Sequence, residues 1–228
     1  MKKYNIFLFD ADDTLYNFGK ASTYAMETLF TKYNYPFEPT LPNKFNTMAY
    51  DLWQAFERGE ITGCDVKTER FVRLFSMLNI NHNPAAFNDE YVYLLGKSSF
   101  LIDGAEDICR RINESGKHLY IITNGFAATC KTRGEFSAIR QYKKATFVSE
   151  EIGYSKPAPE FFRHVLENIG TQNLEEILIV GDSLSADISG GITAGIDTCW
   201  YNSQGSKNNS GLTPTYEIRQ LCELEMFI

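Results

Sequence analysis

No apolar run among the 228 residues approaches the ~20 that a bilayer span needs. Lys2 and Lys3 precede an apolar stretch at residues 4–9, but Asp10 ends it too early for a signal peptide. Cysteine is scarce and scattered. Cys64, Cys109, Cys130, Cys199 and Cys222 form no CxxC pair, so neither a disulfide framework nor a thiolate zinc site is suggested, and free thiols are expected. The three histidines, His82, His118 and His164, share no motif. Positive charge is also short: 22 Lys and Arg against 29 Asp and Glu leave a net charge of −7. That sign excludes tracking of a nucleic-acid backbone but allows a small anion in a local positive site. The expected setting is cytoplasmic, with no membrane and no nucleic-acid polymer as partner and a monomer as the default state.

With 43% hydrophobic and 22% charged residues, the composition is that of an ordinary globular chain. The length corresponds to one or two domains of roughly 150 residues. Residues 4–9 read as a buried strand stopped by Asp10, Asp12 and Asp13. From about residue 16 to 96 the periodicity is helical and aromatic-rich, broken by Pro36, Pro39 and Pro42 and again near residues 79–84. This predicts an insert of some four helical segments.

Alternation then resumes, with helices at 105–115, after Asn124, at 159–169 and at 185–194. Between them lie strands at 118–122, 146–148, 177–180 and 198–201, and residues 202–214 read as a surface loop. Continuous apolar strands alternating with helices predict an α/β fold, a doubly wound parallel sheet covered on both faces. The expected division is a core of residues 1–15 and 97–228 and a helical cap of residues 16–96.

In such sheets ligands bind outside the carboxyl ends of the strands, and each strand here is followed by polar residues. Asp10-Ala11-Asp12-Asp13-Thr14 places two carboxylates two residues apart. One can attack phosphorus while the other protonates a leaving oxygen and later activates water; an acidic turn with a Thr helix cap is the structural alternative. Thr123-Asn124-Gly125 offers a hydroxyl, an amide and backbone N–H groups at a helix start, which suits an anion, although it is also a common turn. Lys156, fixed by Pro157, can neutralise a phosphate and screen Asp10, or be a surface lysine. Gly181-Asp182 with Asp187 five residues later supplies hard oxygen ligands of the kind that suit Mg²⁺.

These four signals occur in order, each after a strand of one predicted sheet. Together they resemble the motifs of the haloacid dehalogenase-like (HAD) hydrolase superfamily. The resemblance implies a Rossmann-like core with the first strand central, a cap inserted after the first motif, and Mg²⁺-dependent phosphoryl transfer through Asp10. Carried over to this sequence, it implies metal binding by the carboxylates of Asp10 and Asp182 and the backbone carbonyl of Asp12, whose side chain is acid and base. It further implies that Thr123 and Lys156 bind the phosphoryl group, supported by Asn124 and Asp187. Asp12 favours a phosphatase over a dehalogenase, and a scaffold that had lost its chemistry would lack one of Asp10, Asp12, Lys156 or Asp182.

A closer likeness lies in Ser149-Glu150-Glu151-Ile152-Gly153, in the stretch from Gly181 to Gly191, in Ala194-Gly195-Ile196-Asp197-Thr198-Cys199-Trp200 and in Pro214-Thr215-Tyr216-Glu217-Ile218. These are similar to the YjjG-type branch, pyrimidine 5′-nucleotidases acting on nucleoside monophosphates such as UMP, dUMP, dTMP and non-standard analogues. Phosphatases of sugar phosphates or phosphoglycolate, and phosphosugar mutases of the β-phosphoglucomutase kind, stay open as alternatives. The match weakens at residues 127–145, where Gly134 and the charged run 140–144 obscure the expected amphipathic helix. Tyr16, Phe18, Trp53 and Phe56 can stack on a planar base or simply fill the cap core. Phe18, close in sequence to Asp12 at the expected entry into the cap, is the one predicted beside the substrate.

Overall fold

The computed structural model describes residues 2–228. Six strands form one parallel sheet: β1 (Ile6–Phe9), β2 (His118–Thr123), β3 (Lys143–Val148), β4 (Ile177–Gly181), β5 (Asp197–Tyr201) and β6 (Tyr216–Ile218), in the order β3-β2-β1-β4-β5-β6. β1 pairs in parallel with both β2 and β4, Ile6 through Phe9 lying opposite residues 118–121 and 177–180. All four β1 residues are buried, which is why the run is apolar without alternation. Strand order reverses at β1, so the crevice of this doubly wound sheet opens at the carboxyl ends of β1, β2 and β4.

Four helices separate β1 from the rest of the sheet: α1 (Phe18–Lys32), α2 (Leu41–Glu57), α3 (Gly63–Leu78) and α4 (Pro84–Ser98). Their starts are written locally. Asn17 Oδ1 accepts from the Lys20 N–H at 2.8 Å, Thr62 and Asp65 form a reciprocal capping box, and Asn83 caps α4 just before Pro84. Pro42 does not break the pattern as expected; it lies in the first turn of α2, where a missing N–H costs nothing. The four helices bury a common aromatic cluster, with Phe45 and Phe71 stacked at 5.1 Å and Tyr91 edge-on to Phe45 at 5.5 Å.

Connections to the sheet are short, because Phe18 through Lys20 and Gly96 through Ser98 are helical. The two chain passages are tied together: the Asn17 N–H donates to Phe100 O at 2.8 Å, and Tyr16 bridges Leu101 antiparallel.

The remaining helices are α5 (Ala105–Glu114), α6 (Ala127–Phe136), α7 (Ser149–Ile152), α8 (Pro159–Ile169) and α9 (Ser189–Ala194). On one face of the sheet Phe7 and Phe9 pack with Ile108 and Ile112 of α5 and with a C-terminal 3₁₀ helix (Leu221–Phe227). On the other, Ile6 and Leu8 pack with Phe161, Phe162 and Val165 of α8. Gly190 and Gly191 permit this closeness, since a Cβ at Gly190 would lie 2.3 Å from Phe162 Cε2 and one at Gly191 2.4 Å from Thr198 Cγ2.

Three further differences stand out. The expected helix over 185–194 begins with a wide turn in which the Ile188 N–H reaches Ser183 O at 3.2 Å, and regular α-helix starts only at Ser189. β3 begins three residues early, at Lys143, inside the charged run. β6 and the C-terminal 3₁₀ helix carry no sequence signal long enough to read. No helix among the described residues is long and apolar enough to cross a membrane.

Candidate active site

Asp10 leaves β1 with its N–H bonded to Val180 O at 2.9 Å, which sets the carboxylate between the ends of β1 and β4. Lys156 Nζ reaches it from the loop before α8. It donates to Asp10 Oδ1 and Asp187 Oδ1, both at 2.6 Å, and to Ile122 O at 3.0 Å. Lys156 is only 2% exposed, so all three ammonium protons are used inside the protein. Burial works against the charged lysine, but Asp10 and Asp187 outweigh it and raise its pKa.

Asp182 follows β4, its backbone carbonyl accepting from Trp200 Nε1 at 2.9 Å. Carboxylate oxygens of Asp10, Asp182 and Asp187 lie within 4.8 Å of one another. Burial raises Asp10, opposed by Lys156 and reinforced by Asp187; burial also raises Asp182, with Asp10 and Asp187 adding to it. One buried lysine against three carboxylates thus leaves an excess of negative charge. Gly181 is required here: a Cβ would meet Asp187 Oδ2 at 2.2 Å. Asp187 is turned inward by the wide turn after Ser183, whose N–H donates to its Oδ2 at 3.1 Å.

Thr123 and Asn124 both lie at the end of β2. The Asn124 side chain and the Lys156 backbone exchange two hydrogen bonds of 2.8 Å, so the amide fixes the lysine loop. Thr123 Oγ1 accepts from the Gly125 N–H at 2.9 Å, leaving its own proton to donate.

Asp12 stands apart from the lysine. Its Oδ1 accepts from Arg133 Nη2 at 2.5 Å, and Arg133, on α6, lies with its guanidinium 4.2 Å from the centre of the Tyr16 ring. Burial opposes the arginine's charge, yet Asp12 more than compensates and raises its pKa. The Asp13 side chain, at a residue with φ of 57°, accepts from the Phe18 N–H at 3.1 Å and so fixes the start of α1.

Asp12, Phe18, Trp53, Arg70, Phe126 and Arg133 line a cavity of about 30 Å³ between the helical insert and α6 with the turns after β1 and β2. Of the four aromatics weighed from sequence, Phe18 and Trp53 are in its wall, Trp53 lying 5.2 Å from Phe126. Phe56 packs edge-on behind Trp53 at 5.6 Å, and Tyr16 is buried beneath Arg133. Glu57, at the end of α2, reaches over to accept from Ser185 Oγ at 2.7 Å, and burial raises its carboxyl. A larger hollow of about 490 Å³, beside α8 and around Thr171 and Leu174, lies toward the opposite end of β4, away from every one of these carboxylates.

The sequence-predicted residues therefore form two adjoining groups. Asp10, Lys156, Asp182 and Asp187 converge, with Thr123 and Asn124 at the same edge; Asp12 and Phe18 share the cavity. Arg70, Arg133, Glu57 and Phe126 were not singled out. Arg133 falls in the stretch whose helix was hard to recognise, and Arg70 and Glu57 sit among the charges of amphipathic helices, where nothing marks an inward-facing ion.

Over its full length the chain is similar to the HAD-hydrolase YfnB of Bacillus subtilis, 39% identical over 224 residues covering 98% of this chain and 95% of that one. A magnesium-bound crystal structure of YfnB superposes with a TM-score of 0.91 at 38% identity, covering 99% of this chain and 98% of that one. The pyrimidine 5′-nucleotidase YjjG of Escherichia coli is 31% identical, covering 99% of this chain and 98% of its own length. The pyrimidine 5′-nucleotidase PynA of Streptococcus pneumoniae is 32% identical, covering 94% and 91%. The profile of the haloacid dehalogenase-like hydrolases matches residues 4–195, from β1 through α9 with the helical insert included, and the chain belongs to that family.

Proposed function

We propose that this chain is a phosphomonoester hydrolase acting on pyrimidine nucleoside 5′-monophosphates, with residues 1–15 and 97–228 as catalytic core and residues 16–96 as cap. The carrying observation is the division of labour between the two aspartates. Asp10 is held by Lys156 beside Asp182 and Asp187, while Asp12 opens onto an aromatic-walled cavity under the cap.

In the first step an Asp10 carboxylate oxygen bonds to phosphorus and the bond from phosphorus to the leaving oxygen breaks. The leaving oxygen takes its proton from the Asp12 carboxyl. In the second step Asp12 accepts a proton from water as the water oxygen bonds to phosphorus, releasing phosphate and regenerating Asp10. Lys156 and the Thr123 hydroxyl stabilise the transferring group, which asks mainly for positioning and charge.

The donor set fits a hard divalent cation: all oxygen, carboxylate-rich and in charge excess beside a single lysine. Asp10 and Asp182 with the Asp12 carbonyl would hold Mg²⁺, Asp187 being engaged by Lys156 and the Ser183 N–H. When bound, the ion supplies a positive charge that offsets repulsion between the Asp10 carboxylate and the phosphate.

The nucleotide part of the reading is supported by the flat walls of Phe18, Trp53 and Phe126 and by the full-length likeness to two pyrimidine 5′-nucleotidases. The test is phosphate release from UMP, dUMP, dTMP, purine monophosphates, phosphoglycolate and sugar phosphates, with Mg²⁺ or EDTA and with Asp10→Asn as control. Mg²⁺- and Asp10-dependent preference for pyrimidine monophosphates is expected. Equal or better turnover of sugar phosphates or phosphoglycolate would overturn the nucleotidase assignment, and activity surviving in Asp10→Asn would overturn the mechanism.

A further inference from the structure

Among the described residues, two buried side-chain atoms have no hydrogen-bond partner, Arg70 Nε and Arg133 Nε. Both arginines line the small cavity that Asp12 also lines. Their situations differ. Arg133 has a carboxylate at 2.5 Å, whereas Arg70, 1% exposed on α3, has none. Arg70 Nη2 donates to Asn88 Oδ1 at 2.5 Å, and the guanidinium lies over the rings of Tyr91, Phe126 and Phe71 at 4.8, 5.2 and 5.3 Å.

Aromatic faces and one amide hold a guanidinium but do not neutralise it. Burial accordingly pushes Arg70 down to about 10. A leucine or methionine would fill the same core space without that cost, and an unpaired buried cation is not an efficient way to stabilise a helical layer. An unpartnered N–H donor, positive charge and flat apolar walls in one cavity are instead the features of a site for an oxygen acceptor on a planar ring.

We propose that Arg70 reads the leaving group of the substrate, donating through its unpartnered Nε–H to a ring carbonyl of a pyrimidine base that lies against Phe126 and Trp53. Arg133, in the wall of the same cavity, holds Asp12 with Nη2 and leaves its Nε unpartnered. The inference rests on the phosphatase reading, because Asp12 at the cavity wall is the group that would protonate the leaving oxygen. At about 30 Å³ the cavity has room for about one water, so a base enters only when the α1–α4 layer lifts from α6. Trp53 and Phe126, whose rings meet across the two layers at 5.2 Å, part as the layers separate. The polar edge of uracil and thymine carries two carbonyl acceptors on a flat ring, matching a donor set between aromatic walls.

The experiment compares UMP with ribose 5-phosphate, the same phosphoester on the same sugar without a base, and with phosphoglycolate, in wild type, Arg70→Met and Arg70→Lys. The ratio of kcat/KM for UMP over ribose 5-phosphate is expected to fall on the order of 10- to 100-fold in R70M, as for loss of a charged hydrogen bond, with R70K in between. The Ki of the product-like inhibitor uridine should rise by a similar factor. An unchanged ratio and unchanged uridine inhibition in R70M would make Arg70 a cap-packing residue and overturn the proposal. A loss in R70M confined to phosphoglycolate would place a carboxylate on Arg70 and overturn the ring assignment.

A measurement on the wild type needs no variant to fold. 2-Thiouridine and 4-thiouridine replace one carbonyl oxygen each with a weaker acceptor, and at least one should inhibit on the order of 10-fold less well than uridine. Equal inhibition by all three overturns the inference. Wild type that releases phosphate from no phosphomonoester brings down the phosphatase reading itself. Wild type that hydrolyses UMP and ribose 5-phosphate equally, and ignores uridine, removes only the base site.

Discussion

Arg133 and Asp12, 121 positions apart in sequence, form the ion pair that closes the inner wall of the cavity, Nη2 to Oδ1 at 2.5 Å. Asp12 sits on the turn after β1 and is half-exposed, so nothing in its own segment fixes its carboxylate; the buried arginine on α6 does. α6 in turn is held at its first turn by Glu150, whose Oε2 accepts from the Ala127 N–H at 2.8 Å. The acid and base of the proposed reaction is therefore positioned through a helix that packs against the cap.

Arg133→Met should lower kcat on the order of 10- to 100-fold, the range for a misplaced catalytic group, with KM for the nucleotide changing less. Arg133→Lys should recover part of the loss because it restores a donor but not the planar fork. Steady-state kinetics of the two variants check this; equal losses in M and K with parallel loss of thermal stability would mean that only packing was damaged.

The strand-borne part of this site was legible in the sequence because each element announces itself locally. β1 is an unbroken apolar run ending on Asp10, β4 ends on Gly181 and Asp182, and α8 starts at Pro159 as expected. The illegible parts depend on tertiary geometry. Arg70 and Arg133 lie on helices whose composition is polar enough for a charge to look solvated, and only the packing turns both inward. Pro42 reads as a breaker until the helix is seen to start one residue before it. The inward turn of Asp187 depends on the wide turn after Ser183, which no periodicity encodes. The three-residue β6 is stabilised by pairing with β5 rather than by its own pattern.

Divalent-metal linkage follows from the charge excess of Asp10, Asp182 and Asp187 beside one lysine. A ligand that binds only the folded chain stabilises it by about 2.7 kcal/mol at one hundred times its Kd. Mg²⁺ titrated into EDTA-stripped protein should therefore raise Tm progressively, and Asp182→Asn should flatten the rise. A wild-type Tm that ignores Mg²⁺ in a scanning calorimeter would contradict the metal assignment.

Lys156 is the counter-ion to two buried carboxylates at once. Lys156→Met should cost about 3–5 kcal/mol, the range for removing one partner of a buried ion pair, because Asp10 and Asp187 are left without it. Adding Asp187→Asn to that variant should recover part of the stability by removing one of the two stranded charges, while activity stays lost. Urea unfolding of the single and double variants measures both terms; an additive or worse double variant would show that Asp187 is not stabilised through Lys156.

Gly96 marks where the cap leans on the core. It lies on α4, and a Cβ there would meet Thr132 Cβ at 2.5 Å and Thr129 O at 2.8 Å, both on α6. Neither can yield easily: Thr132 Cβ is attached directly to the helix backbone and its Oγ1 donates to Ala128 O at 3.0 Å, and Thr129 O is itself helix backbone. Gly96→Ala removes no charge and no hydrogen bond, and by helix propensity alone it should stabilise α4 by about 1 kcal/mol. The steric term has the opposite sign and is larger, about 1–3 kcal/mol for overpacking a close contact. The net result should be a lower Tm together with a displaced α4, and since α6 carries Arg133, the Asp12 pair should loosen with it. Gly96→Ala is thus expected to reduce kcat for nucleotide while leaving Mg²⁺ stabilisation intact, because the metal-side carboxylates lie on the strand ends rather than on α4 or α6. A more stable and fully active G96A would show that α4 and α6 can separate without consequence, and the proposed coupling between cap seating and Asp12 would fall.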